Sequence, residues 1–494
     1  MTSLSLENTY VSLPADFYRF TEPEEMPALE LVKLNNELVE LLNFDKDFLL
    51  SDAGLMFLGG QKLPETTRSI SLAYAGHQFG QLVPQLGDGR ALLLGDKICN
   101  DNHRRDIQLK GSGKTPFSRS GDGRAGIGPV IREYLVSECM HYLNIPTTRS
   151  LAVLLTGESI VRENLEAGAI LVRVARSHVR VGTFQYFAIR DQKNNVQRLA
   201  DFVIERNYPN LISKKNKYKL FFENIVSGQA ELIAKWMSVG FIHGVMNTDN
   251  TSISCETIDY GPCAFMDAYQ EKKVFSSIDQ FGRYSFSNQA LVAPWNLSRF
   301  AETILFLLSD DQKKSIKIAE EILFNFEKIY HSSLNLCTSR KLGIGKPSKQ
   351  TEKLYKELLL LMESGRADFT LTFKSLENTL LTDDENHFFQ NFISSDQGRF
   401  GELNNWLKDW YKLLEIEKVS KASALKILQA NNPIFIPRNH MIEKVINEAS
   451  NGNFEKFYQM ATALKEPFIQ NSKFEEFYQA PKEKELVHQT FCGT

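Results

Sequence analysis

The sequence predicts an α+β protein in which a β-rich half precedes a helical half. Residues 71–190 hold short apolar runs, QLVPQLGDGRALLLGD, DIQLKGSG, LAVLLTGESIVRE and AILVRVAR, punctuated by GDG, GSG and TGE. Glycine turns between such runs are the pattern of a mostly antiparallel sheet. From about residue 218 the periodicity is helical, first in KLFFENIVSGQAELIAKWMSVGF and then in FAETILFLLSDDQKKSIKIAEEILFNFEKIY. A helix-rich stretch continues to the end.

The 494 residues suffice for one large or two to three ordinary domains. The expected division is an N-terminal segment 1–70 packed on the rest, a β-rich lobe 71–190, a second lobe 191–300 and a helical extension 301–494. Prolines at 14, 23, 28 and 64 interrupt the first segment, where one helix is expected near 28–43. A β-rich lobe followed by a helical one places a ligand site at their junction.

Composition narrows the function. Lys+Arg is 57 and Asp+Glu is 60, a net charge of −3, so the basic excess of a nucleic-acid binder is absent and no such partner is expected. The start, MTSLSLENTYVSLPADFYRF, has no basic stretch leading into an apolar core. The longest apolar runs, such as LLLL at 358–361, fall far short of the ~20 residues a spanning helix needs. No membrane partner and a cytoplasmic location are expected. Six scattered cysteines without a CxxC pair fit a reducing compartment.

The chemistry-bearing motifs come in a definite order. In LVPQLGDGRALLLGD a Gly-x-Gly turn joins two strands, and Gly87 and Gly89 let backbone N–H groups approach an anion while Arg90 adds charge. The next strand ends in Lys110. After the loop SGDGRAGIG comes a helix, PVIREYLVSECMHYLNI, with Pro129 in its first turn and Glu133 twenty-three residues after Lys110. A strand lysine followed by a helix glutamate is how kinase-type folds hold a phosphate-binding lysine.

The segment WMSVGFIHGVMNTDNTSISCETIDYGP, 236–262, adds the rest. Asn250 lies seven positions after His243, the step from His to the metal-binding Asn in H-R-D-x-x-x-x-N, and a short, mainly β-like stretch then leads to Asp259-Tyr260-Gly261, which resembles the D-F-G metal site. An amide oxygen and a carboxylate there would converge on Mg²⁺ bridging nucleotide phosphates. The kinase base position is occupied by Val245, which accepts no proton; a carboxylate stands instead at Asp249. The loop is kinase-shaped with its acid relocated.

The strings YAGHQFGQLVPQLGDGRALLLGD, LKGSGKTPFSRSGDGRA, VRVARSHVRVGTFQYF, FIHGVMNTDNTSI, DYGPCAFMDAY, GRYSFSNQ, PWNLSRF and NPIFIPRNH resemble the selenoprotein O (SelO/YdiU) family. The resemblance runs from about 70 to the C-terminus, more loosely around 310–420. It implies a two-lobed protein-kinase-like fold and a protein adenylyltransferase, moving AMP from ATP to Ser, Thr or Tyr hydroxyls of other proteins with Mg²⁺ or Mn²⁺. Mn²⁺-dependent uridylylation is also implied.

Carried over by motif, the nucleotide site is Gly87, Gly89, Arg90, Lys110, Asp122, Gly123, Arg173, Arg180 and Asp259. Asp249 corresponds to the base, Asn250 and Asp259 to the metal ligands, and Glu133 to the partner of Lys110. The alternatives are a kinase-like phosphotransferase, against which Val245 speaks, and a nucleotide-binding pseudokinase scaffold, against which Asn250 and Asp259 speak. His77 and His178 read as structural or phosphate-neighbouring, and Phe221-Phe222 and Phe388-Phe389 as core. Many family members end in a selenocysteine- or cysteine-containing tail, and some pair it with a second cysteine shortly after the DYG motif. Here Cys492 is present, but EKKVFSSIDQFGRYSF has no cysteine. The tail is therefore expected to be mobile, not folded back over the site, and redox control is doubtful.

Overall fold

The computed structural model describes residues 6–162, 164–392 and 397–491. Its strands, in chain order, are β1 (Tyr18–Phe20), β2 (Glu30–Leu34), β3 (Ile70–Leu72), β4 (Gly76–Gln78), β5 (Gln81–Val83) and β6 (Ala91–Ile98). They continue with β7 (Arg104–Lys110), β8 (Ala125–Gly126), β9 (Arg149–Val161), β10 (Leu165–Ala175), β11 (Phe241–Ile242) and β12 (Ala264–Phe265). One antiparallel sheet has the order β1-β3-β6-β7-β10-β9-β2, with β8 joined to β10, while β4 and β5 form a separate hairpin.

Alternation along β7 and β10 positions the site. Ile107 and Leu109 of β7, with Ile170, Val172 and Val174 of β10, enter a core closed by Leu38, Val39, Leu42, Leu49 and Phe57. The intervening Gln108, Lys110 and Arg173 must then point to the opposite face, because successive side chains on a strand alternate. That face is covered by the helix Ile127–Tyr142, which carries Glu133. This helix is buried almost throughout because the chain's last helices cover its other side. Arg132 pairs with Glu443 at 2.5 Å, and the Tyr134 and Phe457 rings lie 5.4 Å apart.

Three expectations change. The helix near 28–43 is a strand followed by a short helix, Asn36–Leu41. Pairing of Glu30–Leu34 with β9 overrides helical propensity, and Asn35 caps the helix that follows. Residues 251–258, read as β-like, form turns and isolated bridges, Arg180 with Ser252 and Thr147 with Thr257. The tail does fold back. Thr490 donates from N to the Phe275 carbonyl at 2.8 Å and from Oγ1 to the Pro262 carbonyl at 2.6 Å, and accepts from Ser277 N at 3.1 Å. Its carbonyl and hydroxyl are satisfied by the segment just beyond Asp259, which sequence order alone does not reveal. Cys492 lies outside the described residues.

The helical part is dominated by Lys217–Ser238, Gln289–Leu308 and Gln312–Lys341. Phe221 and Phe222 are core residues against Phe300, and Phe388 is buried beside Trp406. Arg438, fully buried, ties the loop after β12 to the C-terminal helices through Asp267 at 2.5 Å and Asp368 at 2.7 Å. Among the described residues no helix is long and apolar enough to cross a membrane.

Candidate active site

A cavity of about 910 Å³ opens between the sheet and the loops 245–261. It is lined by Gly87, Gly89, Arg90, Lys110, Asp122, Gly123, Arg173, Arg180, Asp249, Asn250 and Asp259. Of the candidate nucleotide, metal and catalytic residues named from the sequence, only Glu133 stands outside this lining, against Lys110.

The floor is an ion cluster. Lys110 Nζ lies 2.6 Å from Glu133 Oε2 and 2.9 Å from Asp259 Oδ1. Arg173 reaches Asp259 Oδ1 at 2.6 Å, Glu133 Oε1 at 3.1 Å and Gln108 Oε1 at 2.5 Å. Arg180 reaches Asp259 Oδ2 at 2.6 Å and the Asp249 carbonyl at 2.8 Å, with its guanidinium 4.8 Å from the Tyr74 ring. Burial alone would raise the carboxyls of Asp259 and Glu133, but the cations hold Asp259 well below its usual range and Glu133 below its own. Asp259 also sits in the left-handed region at φ +64°, a conformation uncommon outside glycine and fixed here by its three partners.

The loop above is organised by His243. Its Nε2 donates to the Ile258 carbonyl at 2.9 Å and its Nδ1 accepts from Val245 N at 3.4 Å, so one neutral ring joins the loop to the residue before Asp259. Burial lowers the pKa of this ring, which favours that neutral form. Asn250 Nδ2 donates to the Val245 carbonyl at 2.9 Å, leaving its oxygen for the cavity. Asp249 is nearly buried; Gln78 Nε2 donates to its Oδ2 at 3.2 Å, while Oδ1 has no hydrogen-bond partner. Burial pushes this carboxyl up to about 6.

The hairpin β4–β5 makes the contact with Asp249 possible. His77 N donates to Thr248 Oγ1 at 2.6 Å, and Phe79 N donates to Asn247 Oδ1 and to the Tyr284 hydroxyl, both at 3.1 Å. A Cβ at Gly76 would stand 2.4 Å from Asp249 Oδ1, so only glycine lets the hairpin approach the carboxylate this closely. On the opposite wall Gly87 has φ +107°, and a Cβ there would meet the Phe117 ring at 2.4 Å.

Several placements differ from a plain phosphate cradle. Arg173 is 1% exposed and is engaged by Glu133, Asp259 and Gln108, while Asp122, at the rim, is bound by Arg162 at 2.8 Å. His77 contacts Gln185 at 2.8 Å, and His178 is buried against Asp106 at 3.1 Å, both structural placements. Sequence reasoning missed Gln78, Asn247 and Tyr74. Gln78 stood inside a quoted string, YAGHQFG, but nothing local ties it to a loop 171 residues away.

Asn250 and Asp259 offer hard oxygen donors to the cavity, beside the buried, unpartnered Oδ1 of Asp249. That set suits Mg²⁺ or Mn²⁺, which commonly takes one or two carboxylates and completes its shell with phosphates and water. Among the described residues no group of three His, Cys, Asp or Glu could hold a metal by itself, so the nucleotide would have to share in the binding.

The sequence profile of the family described as Protein adenylyltransferase SelO matches residues 1–465. The chain is 47% identical over 492 residues to Protein nucleotidyltransferase YdiU of Rhodopseudomonas palustris (strain BisB5), covering 99% of each. It is also 47% identical over 491 residues to that of Nitrobacter hamburgensis, covering 99% of this chain and 96% of the relative. The profile match starts at residue 1, so the likeness noted from about residue 70 includes the N-terminal segment as well. On likeness of this extent, the protein belongs to the SelO family of protein adenylyltransferases.

Proposed function

We propose that the protein transfers AMP from ATP to Ser, Thr or Tyr hydroxyls of other proteins, in the cytoplasm, through a two-lobed protein-kinase-like fold with a helical extension. The lobes would be 71–190 and 191–300, with 1–70 packed on them and 301–494 as the extension. One observation carries the reading. The kinase base position is Val245, yet Asp249, Asn250 and Asp259 all face one cavity with Lys110 and Arg180. An inverted nucleotide would bring the α-phosphate, rather than the γ-phosphate, to the relocated carboxylate.

In this reading Asp249 takes the proton of the acceptor hydroxyl. Lys110 and Arg180 pair with phosphate oxygens, and Glu133 keeps Lys110 in place. Gly87, Gly89, Arg90, Asp122 and Gly123 shape the wall around the nucleotide, and Arg173 fixes Asp259 from behind. Asn250 and Asp259 would hold Mg²⁺ or Mn²⁺, which when bound neutralises phosphate charge. The test is incubation with ATP labelled at the α or the γ phosphate, with an acceptor protein present. Incorporation of α-label is expected; γ-label alone would return the chain to ordinary phosphotransferases. UTP labelled at the α phosphate, with Mn²⁺, tests uridylyl transfer in the same assay.

A further inference from the structure

Beside the nucleotide cavity lies a second one of about 590 Å³, sharing Phe79 and Ile278 with it. Its wall includes three large apolar side chains turned to solvent: Phe281 is 96% exposed, Leu291 70% and Ile278 54%. Single exposed apolar residues need no explanation, but three converging on one concave surface do. Trp295 completes the wall.

The cavity wall carries a cation, Arg283, and a buried acid, Asp279. The Arg283 guanidinium stacks 4.7 Å from the Trp295 ring, and among the described residues no carboxylate lies within ion-pair distance of it. Asp279, the nearest acid in sequence, instead accepts from the backbone N–H groups of Arg283 at 2.9 Å and Tyr284 at 2.8 Å. Arg299, on the same tryptophan, is already paired with Glu302 at 2.6 Å.

Continuity with the reaction site supplies the occupant. Phe79, in the shared wall, directly follows Gln78, whose amide holds Asp249. Because the two cavities share Phe79 and Ile278, one extended chain with its hydroxyl at Asp249 would run from the first into the second. We infer that this cavity docks an extended segment of the acceptor protein, seating a bulky apolar side chain with an acidic neighbour a few residues from the acceptor hydroxyl. The inference rests on the protein-acceptor reading above. The aromatic and aliphatic wall provides non-directional affinity, and Arg283 provides selection by charge.

The test uses short fluorescent peptides with one Thr and a Phe-Asp pair placed on either side of it. Controls replace Phe by Ala or Asp by Lys. Binding is read by anisotropy, with Mg²⁺ and a non-hydrolysable ATP analogue present. In one of the two placements the Phe-Asp peptide should bind the full chain, and Leu291→Asp should weaken it about tenfold, as expected for losing one buried apolar contact. Arg283→Glu should reverse the preference toward the Lys peptide. ATP affinity of Leu291→Asp, by calorimetry, should equal that of the unaltered protein.

Equal binding of Phe and Ala peptides in both placements, or unaltered binding by Leu291→Asp, would overturn the inference. Loss of ATP affinity in Leu291→Asp would overturn it too, by assigning the surface to the nucleotide. Peptide binding with these preferences but no α-label transfer would sink the transfer reading and leave the docking surface standing.

Discussion

Asp249 and Asp259 line one cavity ten residues apart, yet their surroundings push them in opposite directions. Asp259 is gripped by Lys110, Arg173 and Arg180 and is held well below the usual carboxylate range. Asp249 has one side-chain donor, Gln78, and one oxygen with none, and burial lifts it to about 6. Arg180 touches both, but through the carboxylate of Asp259 and only the backbone carbonyl of Asp249. The same residue type is thus sorted by its neighbours into a permanent anion and a group able to exchange a proton, a separation that marks acid–base assignments elsewhere.

Removing the anion should have the largest effect. Asp259→Ala leaves three cations facing one another, and transfer should be abolished with Mg²⁺-dependent ATP affinity also lost, as calorimetry would show. Asp249→Ala should lower turnover by ~10²–10⁴ while ATP binding is kept, the signature of a missing base. Equal loss of nucleotide affinity in both variants would erase the distinction.

The cations can be tested next. Lys110 is shared between Glu133 and Asp259, so without Glu133 it is left paired to Asp259 alone and drawn away from a phosphate position. Alanine at Lys110, at Glu133 and at both should therefore give similar activities in a double-mutant cycle. Multiplicative losses would show two separate contributions, with Arg173 alone holding Glu133.

A third buried carboxylate sharpens the comparison from outside the cavity. Glu256 accepts from Arg176 N at 2.9 Å and Ser254 Oγ at 2.7 Å, and burial raises it to about 7 from an ordinary 4.5. The folded chain binds this proton more tightly than the unfolded one. Its contribution is thus intact below about pH 4.5 and is lost as pH rises through 7. Glu256→Gln should melt a few degrees above the unaltered protein at pH 8 and level with it at pH 4.5, by scanning calorimetry. A difference independent of pH would remove the titration from the account.

Legibility from sequence followed the range of each interaction. Lys110 and Glu133 are readable because each sits on a regular element, Asn250 and Asp259 because each sits in a short loop motif, and strand alternation turns Lys110 and Arg173 to one face. Gln78 is not, because its partner is supplied by the fold of a hairpin that leaves the main sheet. Arg173 lines the expected cavity, but its engagement by Glu133 and Asp259 had no local signal. The strand at 30–34 was read as helix because its leucines suit either period until β9 is beside it. The docking of Thr490 had no local signal whatever.

That docking has a consequence for how the molecule is made. Thr490 meets Pro262 across 228 positions, Arg438 meets Asp267 across 171, and Glu443 meets Arg132 across 311. The loop after Asp259 and the helix carrying Glu133 therefore wait for supports that the ribosome delivers much later. At ~5–20 residues per second, Pro262 precedes Thr490 by roughly 10–50 s. Throughout that interval a nascent chain already holds Lys110, Asp249 and Asp259 but lacks the outer brace of the loop after Asp259. A nascent chain that has not yet reached Arg438, Glu443 and Thr490 therefore lacks three contacts that brace the surroundings of the cavity.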